Sequence, residues 1–498
     1  MQKNNLYYQS TRGEEERFLS AEAIIKGIAQ GGGLFVPEAM PQVKKDFYSF
    51  KKADYKELAF LIMKKFFTDY AQDELKDSIN QAYDHKFDTE VIAPLSKKMG
   101  AYFLELYHGP TLAFKDMALS LLPHLLKTAA QKLNLNQEIV ILTATSGDTG
   151  KAALQGFANV EGTKIIVFFP YKGVSKIQER QMLTQEGANT YVIGIKGNFD
   201  DAQKGVKEIF EDPAFHQKIA EKNYLFSSAN SINIGRLIPQ IVYYFYAYLK
   251  MLGEDEIKEG EMINLAVPTG NFGDILAAYY AKEMGLPVNK LICASNENKV
   301  LADFFETGVY DKRRKLVPTI SPSMDILVSS NLERLLWSAS GRETQKVREL
   351  VNSLKEKGYY RIDSGMKKKL KDFYGGYASQ DKSRQYIKEM FGKSKYLIDP
   401  HTAVAYAVYK EYIKASGDKS KTIIVATASP FKFTKSVMES IDSRYRKFDD
   451  FELIEKMSDL AQIPIPPGIK DIGKKPIRHK TVCEKEEMKT KIAEILNL

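Results

Sequence analysis

The sequence predicts an α/β protein, with two domains each built on a parallel sheet and a small, mainly helical N-terminal domain. Three observations carry this reading. Short continuous apolar runs alternate with longer helical ones, the alternation occurs in two separate blocks, and the first 90 residues lack it. Continuous apolar strands joined by helices specify a parallel sheet covered on both faces, since a strand buried on both sides has no polar face to alternate with. At 498 residues the chain is well past the length at which one core stops growing, so several domains are the default.

The elements follow in order. Residues 1–90 hold two amphipathic helices, around 21–28 and 55–67, separated by Gly31, Gly32 and Gly33. The first block reads as strand 138–143, helix 150–157, strand 164–169 closed by Pro170, helix 177–185, strand 191–195 and helix 206–210. The second reads as strand 262–267, helix 272–284, strand 290–294, helix 402–413 and strand 422–426. Pro123 falls inside the apolar run 117–126, where proline breaks a helix, so a bend or a late helix start is expected. The domain boundaries read as 1–90, then 91–462 with a smaller subdomain at about 120–240, then a tail over 463–498. That tail carries Pro464, Pro466 and Pro467 and ends in a helical run over 484–496.

Bulk composition narrows the function classes. An apolar fraction of 44% with 27% charged residues is that of an ordinary packed protein. No run approaches 18 apolar residues, which argues against a membrane span. The opening residues are polar and include Glu14, Glu15 and Glu16, unlike a secretory signal or a transit peptide. Two distant cysteines, Cys293 and Cys483, make no disulfide framework or Cys-rich metal site, and a reducing cytoplasm is the simple reading. The net charge of +9 is spread over 72 basic and 63 acidic residues; the densest basic run, 470–480, reads as a surface tail rather than a nucleic-acid site. His85, His124, His216, His401 and His479 show no metal-ligand spacing, so no metal is expected.

Four segments stand where strands end and helices begin, the place where parallel sheets bind ligands. Ser146, Gly147, Asp148, Thr149 and Gly150 follow the first strand; they form either a plain capped turn or an anion site at a helix start. The nucleotide-loop template fails there, because Ala152 follows Lys151 and no glycine stands five positions before Gly150. Gly270, Asn271, Phe272, Gly273 and Asp274 form a second such turn, a cup of free amides suited to phosphate. Asn230, Ser231 and Arg236 offer amide, hydroxyl and guanidinium donors, with a capped helix start as the equal alternative. Thr427 and Ser429 place two hydroxyls at the end of the last strand. Lys115, beside Phe114 and an apolar run, is either a snorkelling side chain or, if desolvated, a nucleophile towards aldehydes.

Taken in order, these segments resemble the threonine synthase family, whose fold is shared with tryptophan synthase β and cysteine synthase (fold type II). The resemblance begins at Ser10-Thr11-Arg12-Gly13 and Gly32-Gly33-Leu34-Phe35-Val36-Pro37. It runs through residues 105–116, 143–150, 230–236, 270–274 and 399–404 to Thr427. It implies that Lys115 carries pyridoxal 5'-phosphate as a Schiff base, that Gly270, Asn271, Phe272, Gly273 and Asp274 cup its phosphate, and that the Thr427 hydroxyl meets its pyridine nitrogen. It further implies that Ser146, Thr149, Asn230, Ser231 and Arg236 bind a substrate phosphate. Asp148 matches a position near the cofactor's ring oxygen where relatives often carry asparagine, and its charge is a departure. A second departure is Ser429, where the family wording has histidine; around residues 321–325 only Ser321, Met324 and Asp325 fit.

The implied activity is a carbon–oxygen lyase reaction converting O-phospho-L-homoserine and water to L-threonine and phosphate, the last step of threonine biosynthesis. Lys115 would act as base at Cα and then Cβ, with Arg236 holding the departing phosphate and domain closure excluding water. Another enzyme of the same fold, such as a serine or threonine dehydratase or a phosphohomoserine lyase without hydration, and a non-catalytic binding protein are the rivals. The expected partner is a small molecule, with no nucleic acid and no membrane, and the protein is read as a monomer or homodimer.

Overall fold

The computed structural model describes residues 5–13, 16–43, 45–145 and 147–498. The first block of strands forms a sheet ordered Thr481–Glu484, Thr190–Lys196, Thr163–Pro170, Glu138–Ala144, Tyr224–Ser228, with every neighbouring pair parallel. Alternate residues enter different cores, as a period of two requires. Val140, Leu142, Ile166 and Phe168 face helices Phe199–Phe210 and Met488–Leu496, while Ile139, Ile141, Ile165 and Val167 face the main core. Two of these strands carry no continuous apolar run. Tyr224–Ser228 ends on serines, and Thr481–Glu484 is mostly exposed.

The second block builds a sheet ordered Phe373–Tyr377, Val288–Ser295, Ile263–Pro268, Thr422–Ala426, Ala101–Glu105, Leu95–Lys98. The pairs are parallel except the last, where the lysine-rich Leu95–Lys98 runs antiparallel along the edge. Charged edge strands discourage further pairing. Leu265, Val267, Ile423 and Val425 point into one core, and Ala266, Ile292 and Ile424 into the other.

Pro123 does delay a helix. A short helix Asp116–Leu119 ends before it, and Leu122–Lys132 begins with the proline in its first turn, where the missing N–H has no partner to lose. Helix Ile234–Gly253 is buried at every position but Lys250 and Gly253, because helices Gly273–Glu283, Asp116–Leu119 and Tyr55–Met63 pack around it.

That N-terminal region holds helices Ser20–Lys26, Tyr55–Met63 and Gln72–Ala82, together with an antiparallel pair, Tyr8–Ser10 and Phe35–Pro37. Its two sequence motifs meet there. Arg12 donates from Nε and Nη2 to Glu333 at 3.0 and 2.8 Å. Arg334, fully buried, donates to the carbonyl of Phe35 at 2.8 Å and to that of Ile232 at 2.6 Å, so it joins this region to the segment before helix Ile234–Gly253. No helix among the described residues is long and apolar enough to cross a membrane.

Candidate active site

Lys115 sits on a loop held shut by its own polar groups. The Asp116 carboxylate accepts from the Thr111 amide at 2.8 Å and the Thr111 hydroxyl at 2.6 Å, and Leu112 takes a left-handed φ of 63°. The loop then zips onto the chain after strand Thr422–Ala426: the Phe114 amide donates to the Thr427 carbonyl at 2.8 Å, and the Ser429 amide to the Leu112 carbonyl at 3.0 Å. Lys115 and Thr427 therefore reach the same cavity from two sheet-end segments that are hydrogen-bonded to each other.

The Lys115 side chain is 12% exposed, and its Nζ lies 4.8 Å from the centre of the Phe114 ring. Burial lowers its pKa from the ordinary lysine value; Asp148 opposes this, while Lys432 and Arg236 add to it. Desolvation of this kind frees an amine to act as nucleophile and base near neutrality.

Asp148 opens helix Asp148–Phe157 without capping it, and its carboxylate works elsewhere. One oxygen takes Lys432 Nζ at 2.7 Å and Gln178 Nε2 at 2.8 Å. The other faces Lys115 Nζ at 3.6 Å and accepts from the Ser323 hydroxyl at 3.2 Å. Burial alone would raise this carboxyl, but Lys432, Lys115 and the bond from Gln178 hold it well below the usual carboxylate range. Gly147 has φ 135°, and a Cβ there would meet Gln178 at 2.6 Å, so glycine is what lets Gln178 reach Asp148.

Across the cavity lies the turn after strand Ile263–Pro268. A Cβ on Gly270 would stand 2.7 Å from the Ser323 carbonyl, which leaves room for nothing larger. Phe272 takes a left-handed φ of 65°, an unusual cost for an aromatic residue, and its ring packs beside the stacked pair Phe305 and Phe373. This turn aims the first amides of helix Gly273–Glu283 at the cavity, where an anion is favoured. Asp274 accepts from Tyr243 and Tyr244 on one oxygen, its other oxygen has no partner among the described residues, and burial pushes its pKa up to about 6.

Arg236 completes the lining. It is 2% exposed, donates from Nη1 to the Ala229 carbonyl at 2.9 Å, has no partner for Nε and faces no carboxylate within ion-pair reach among the described residues. Burial lowers it to about 10, so it stays cationic at neutral pH. A buried, incompletely paired guanidinium is costly unless an anion joins it. Asn331 ties the two anion-ready segments together: its Nδ2 donates to Ser231 Oγ at 3.1 Å and to the Asn271 carbonyl at 3.0 Å.

Lys115, Asp148, Thr149, Asn230, Ser231, Arg236, Gly270, Asn271, Phe272, Gly273, Asp274 and Thr427 all line this one cavity. Ser146 lies outside the described residues. Sequence reasoning missed Lys432, Gln178, Ser323 and Asn331. It also assigned no role to His401, whose Nδ1 meets Asp399 at 2.6 Å and whose Nε2 accepts from the Ser323 amide at 3.2 Å. Lys432 did carry a signal, a lone charge between Phe431 and Phe433 just after the Thr427 motif.

Comparison with known proteins agrees with this geometry. Residues 7–83 match the family described as threonine synthase N terminus, 84–429 that of pyridoxal-phosphate dependent enzymes, and 402–490 that of threonine synthase, C-terminal. The chain is 40% identical to human threonine synthase-like 1 over 84% of its own length, but it spans only 58% of that relative. It is 37% identical to the threonine synthase of Saccharomyces cerevisiae, covering 92% of this chain and 93% of the yeast one. A crystal structure of PLP-bound threonine synthase from Brucella melitensis superposes with a TM-score of 0.83 at 34% identity, over 99% of this chain and 98% of that one. The chain thus belongs to the threonine synthase family of pyridoxal-phosphate-dependent enzymes.

Proposed function

We propose that the protein converts O-phospho-L-homoserine and water to L-threonine and phosphate. The observation that carries this reading is the pair of anion-ready sites flanking one desolvated lysine: the helix start at Gly273 and the incompletely paired Arg236. A substrate that brings its own phosphate to a phosphate-bearing cofactor needs two such sites. The Gly270 cradle suits the cofactor's phosphate, since its amides stand free at a helix N-terminus and a side chain would fill the space. Thr427 would meet the pyridine nitrogen, and Lys115 the aldehyde carbon. When bound, the cofactor supplies an electron sink beside the substrate's Cα.

The chain's own residues supply the rest. Lys115 Nζ takes the proton at Cα and then at Cβ, moving over a short arc because its loop is fixed through Asp116 and Thr427. Asp148 orients that amine from 3.6 Å. Arg236, Asn230 and Ser231, with Thr149 and Ser146, hold the phosphate that leaves Cγ, and their donors match a dianion better than a neutral hydroxyl. Phe199 and Gln203, from a helix of the smaller sheet, line the cavity's far side and would exclude water when the two sheets close. Both cysteines are free and buried, which suits a reducing compartment, and the cytoplasm is the location proposed.

The test is an assay of purified protein with pyridoxal phosphate and O-phospho-L-homoserine. Equal release of phosphate and threonine is expected, abolished by Lys115→Ala. Formation of 2-oxobutanoate without threonine would make the protein a lyase lacking the hydration step and overturn the proposal.

A further inference from the structure

Lys432 has no place in the chemistry above, yet it is fully buried and bonded on two sides. It lies on the turn Pro430–Phe433, which the Ser429 hydroxyl caps, between the buried rings of Phe431 and Phe433. Its Nζ reaches the Asp148 carboxylate at 2.7 Å and the Thr111 carbonyl at 2.8 Å. Thr111 belongs to the loop that presents Lys115, so one ammonium ties together the helix start that carries Asp148, the Lys115 loop and the Thr427 segment. The carboxylate is shared unequally, with Lys432 at 2.7 Å and Lys115 at 3.6 Å.

We propose that Lys432 is a positioning residue for Lys115. It claims one oxygen of Asp148, so that the other steers the Lys115 amine without closing an ion pair on it. The inference rests on the reading that Lys115 is the lysine joined to the cofactor aldehyde. A carboxylate with no other cation would bind the Lys115 ammonium outright and hold its proton; one already paired can aim the amine and still leave it free to give up that proton.

The charged surroundings do not supply a substitute. Lys115 faces Asp148, Lys432, Arg236 and, more remotely, Asp274. Lys432 faces Asp148, Asp116, Lys115 and Lys151. The Asp116 carboxylate is occupied by Thr111, and Lys151 is turned to Gln155 and Gln185. His401 faces the site through the Ser323 amide and its own Asp399.

The test uses the holoenzyme of the unaltered protein and of the Lys432→Met, Lys432→Gln, Lys432→Arg and Asp148→Asn variants. The pH midpoint of the bound cofactor's visible absorption band is measured, and borohydride reduction with peptide mapping locates the modified lysine. Removing a buried positive charge is expected to raise the midpoint by roughly one pH unit or more in Lys432→Met and Lys432→Gln. Asp148→Asn is expected to lower it, and Lys432→Arg to restore it to within about 0.3 unit. Opposite shifts from the two partners are a signature that mere loss of packing does not produce. Folded Lys432→Met and Lys432→Gln proteins with an unmoved midpoint overturn the inference. Should neither fold, an unmoved Asp148→Asn midpoint overturns it, and a lowered one beside an unshifted Lys432→Arg supports it. Modification at Lys115 with no shift defeats the Lys432 inference alone; modification at another lysine defeats the reading beneath it as well.

Discussion

Replacing Arg236 with methionine removes a guanidinium that is 2% exposed and, among the described residues, holds one hydrogen bond, at 2.9 Å, with no partner for its Nε. In the ligand-free protein two effects oppose. The lost charge-assisted bond costs about 1.5–3 kcal/mol, and relief of a buried unsatisfied donor returns about 1–3 kcal/mol. Stability is therefore expected to change by no more than about 2 kcal/mol in either direction. Towards a phosphate-bearing substrate nothing cancels: two charge-assisted bonds lost amount to about 3–6 kcal/mol, roughly a hundredfold to ten-thousandfold in kcat/KM. Urea unfolding with and without inorganic phosphate, beside the phosphate-release assay, reads both quantities. Phosphate at a hundred times its Kd adds about 2.7 kcal/mol to the unaltered protein and should add far less to the variant. A variant that loses more than about 3 kcal/mol of stability while kcat/KM stays within about tenfold would show that Arg236 is structural, and would refute this reasoning.

Gly270→Ala places a methyl 2.7 Å from the Ser323 carbonyl, so the cup must open; cofactor affinity is expected to fall by roughly tenfold or more with the fold retained, read by dialysis and absorbance. Asp274 is raised to about 6, so the ligand-free folded state holds its proton more tightly than the unfolded chain. Its contribution is present below about pH 4 and is lost as pH rises through about 6; relative to Asp274→Asn, the unaltered protein should lose about 2 kcal/mol between pH 4.5 and 7 in urea unfolding. Burial would depress His108, but its hydrogen bonds to the Asp88 and Glu105 carboxylates raise it to about 9. The stability it adds is whole below about pH 6.5 and disappears as pH rises through about 9; His108→Gln should flatten that window in thermal melts.

Much of this architecture was legible because burial on both faces forces a strand to be apolar throughout. The runs at 139–142 and 165–169 read directly as strands, and the turns that follow them read as ligand segments. Strand Phe373–Tyr377 escaped because two glycines interrupt it, and Thr481–Glu484 because it lies at an edge with three of its four residues exposed. At the site, residues on local motifs were readable, since a glycine turn before a helix carries its own chemistry. Lys432, Gln178, Ser323 and Asn331 were not, because each acts through a partner distant in sequence: Gln178 lies 30 residues from Asp148, and Ser323 lies 175. Asp148 itself was read as a cap or as a cofactor contact. Only the fold revealed that two lysines compete for it.

Strand Thr481–Glu484 lies parallel against Thr190–Lys196, and helix Met488–Leu496 closes over the same sheet. The remaining strands of that sheet come from residues 138–228, so it cannot be completed until residues 229–480 have been synthesised. A growing chain must therefore carry four strands of that sheet, with the edge of Thr190–Lys196 bare, past the making of the four later strands of the second sheet. Residues 481–496 are what covers the Thr190–Lys196 edge and ends its exposure to mispairing.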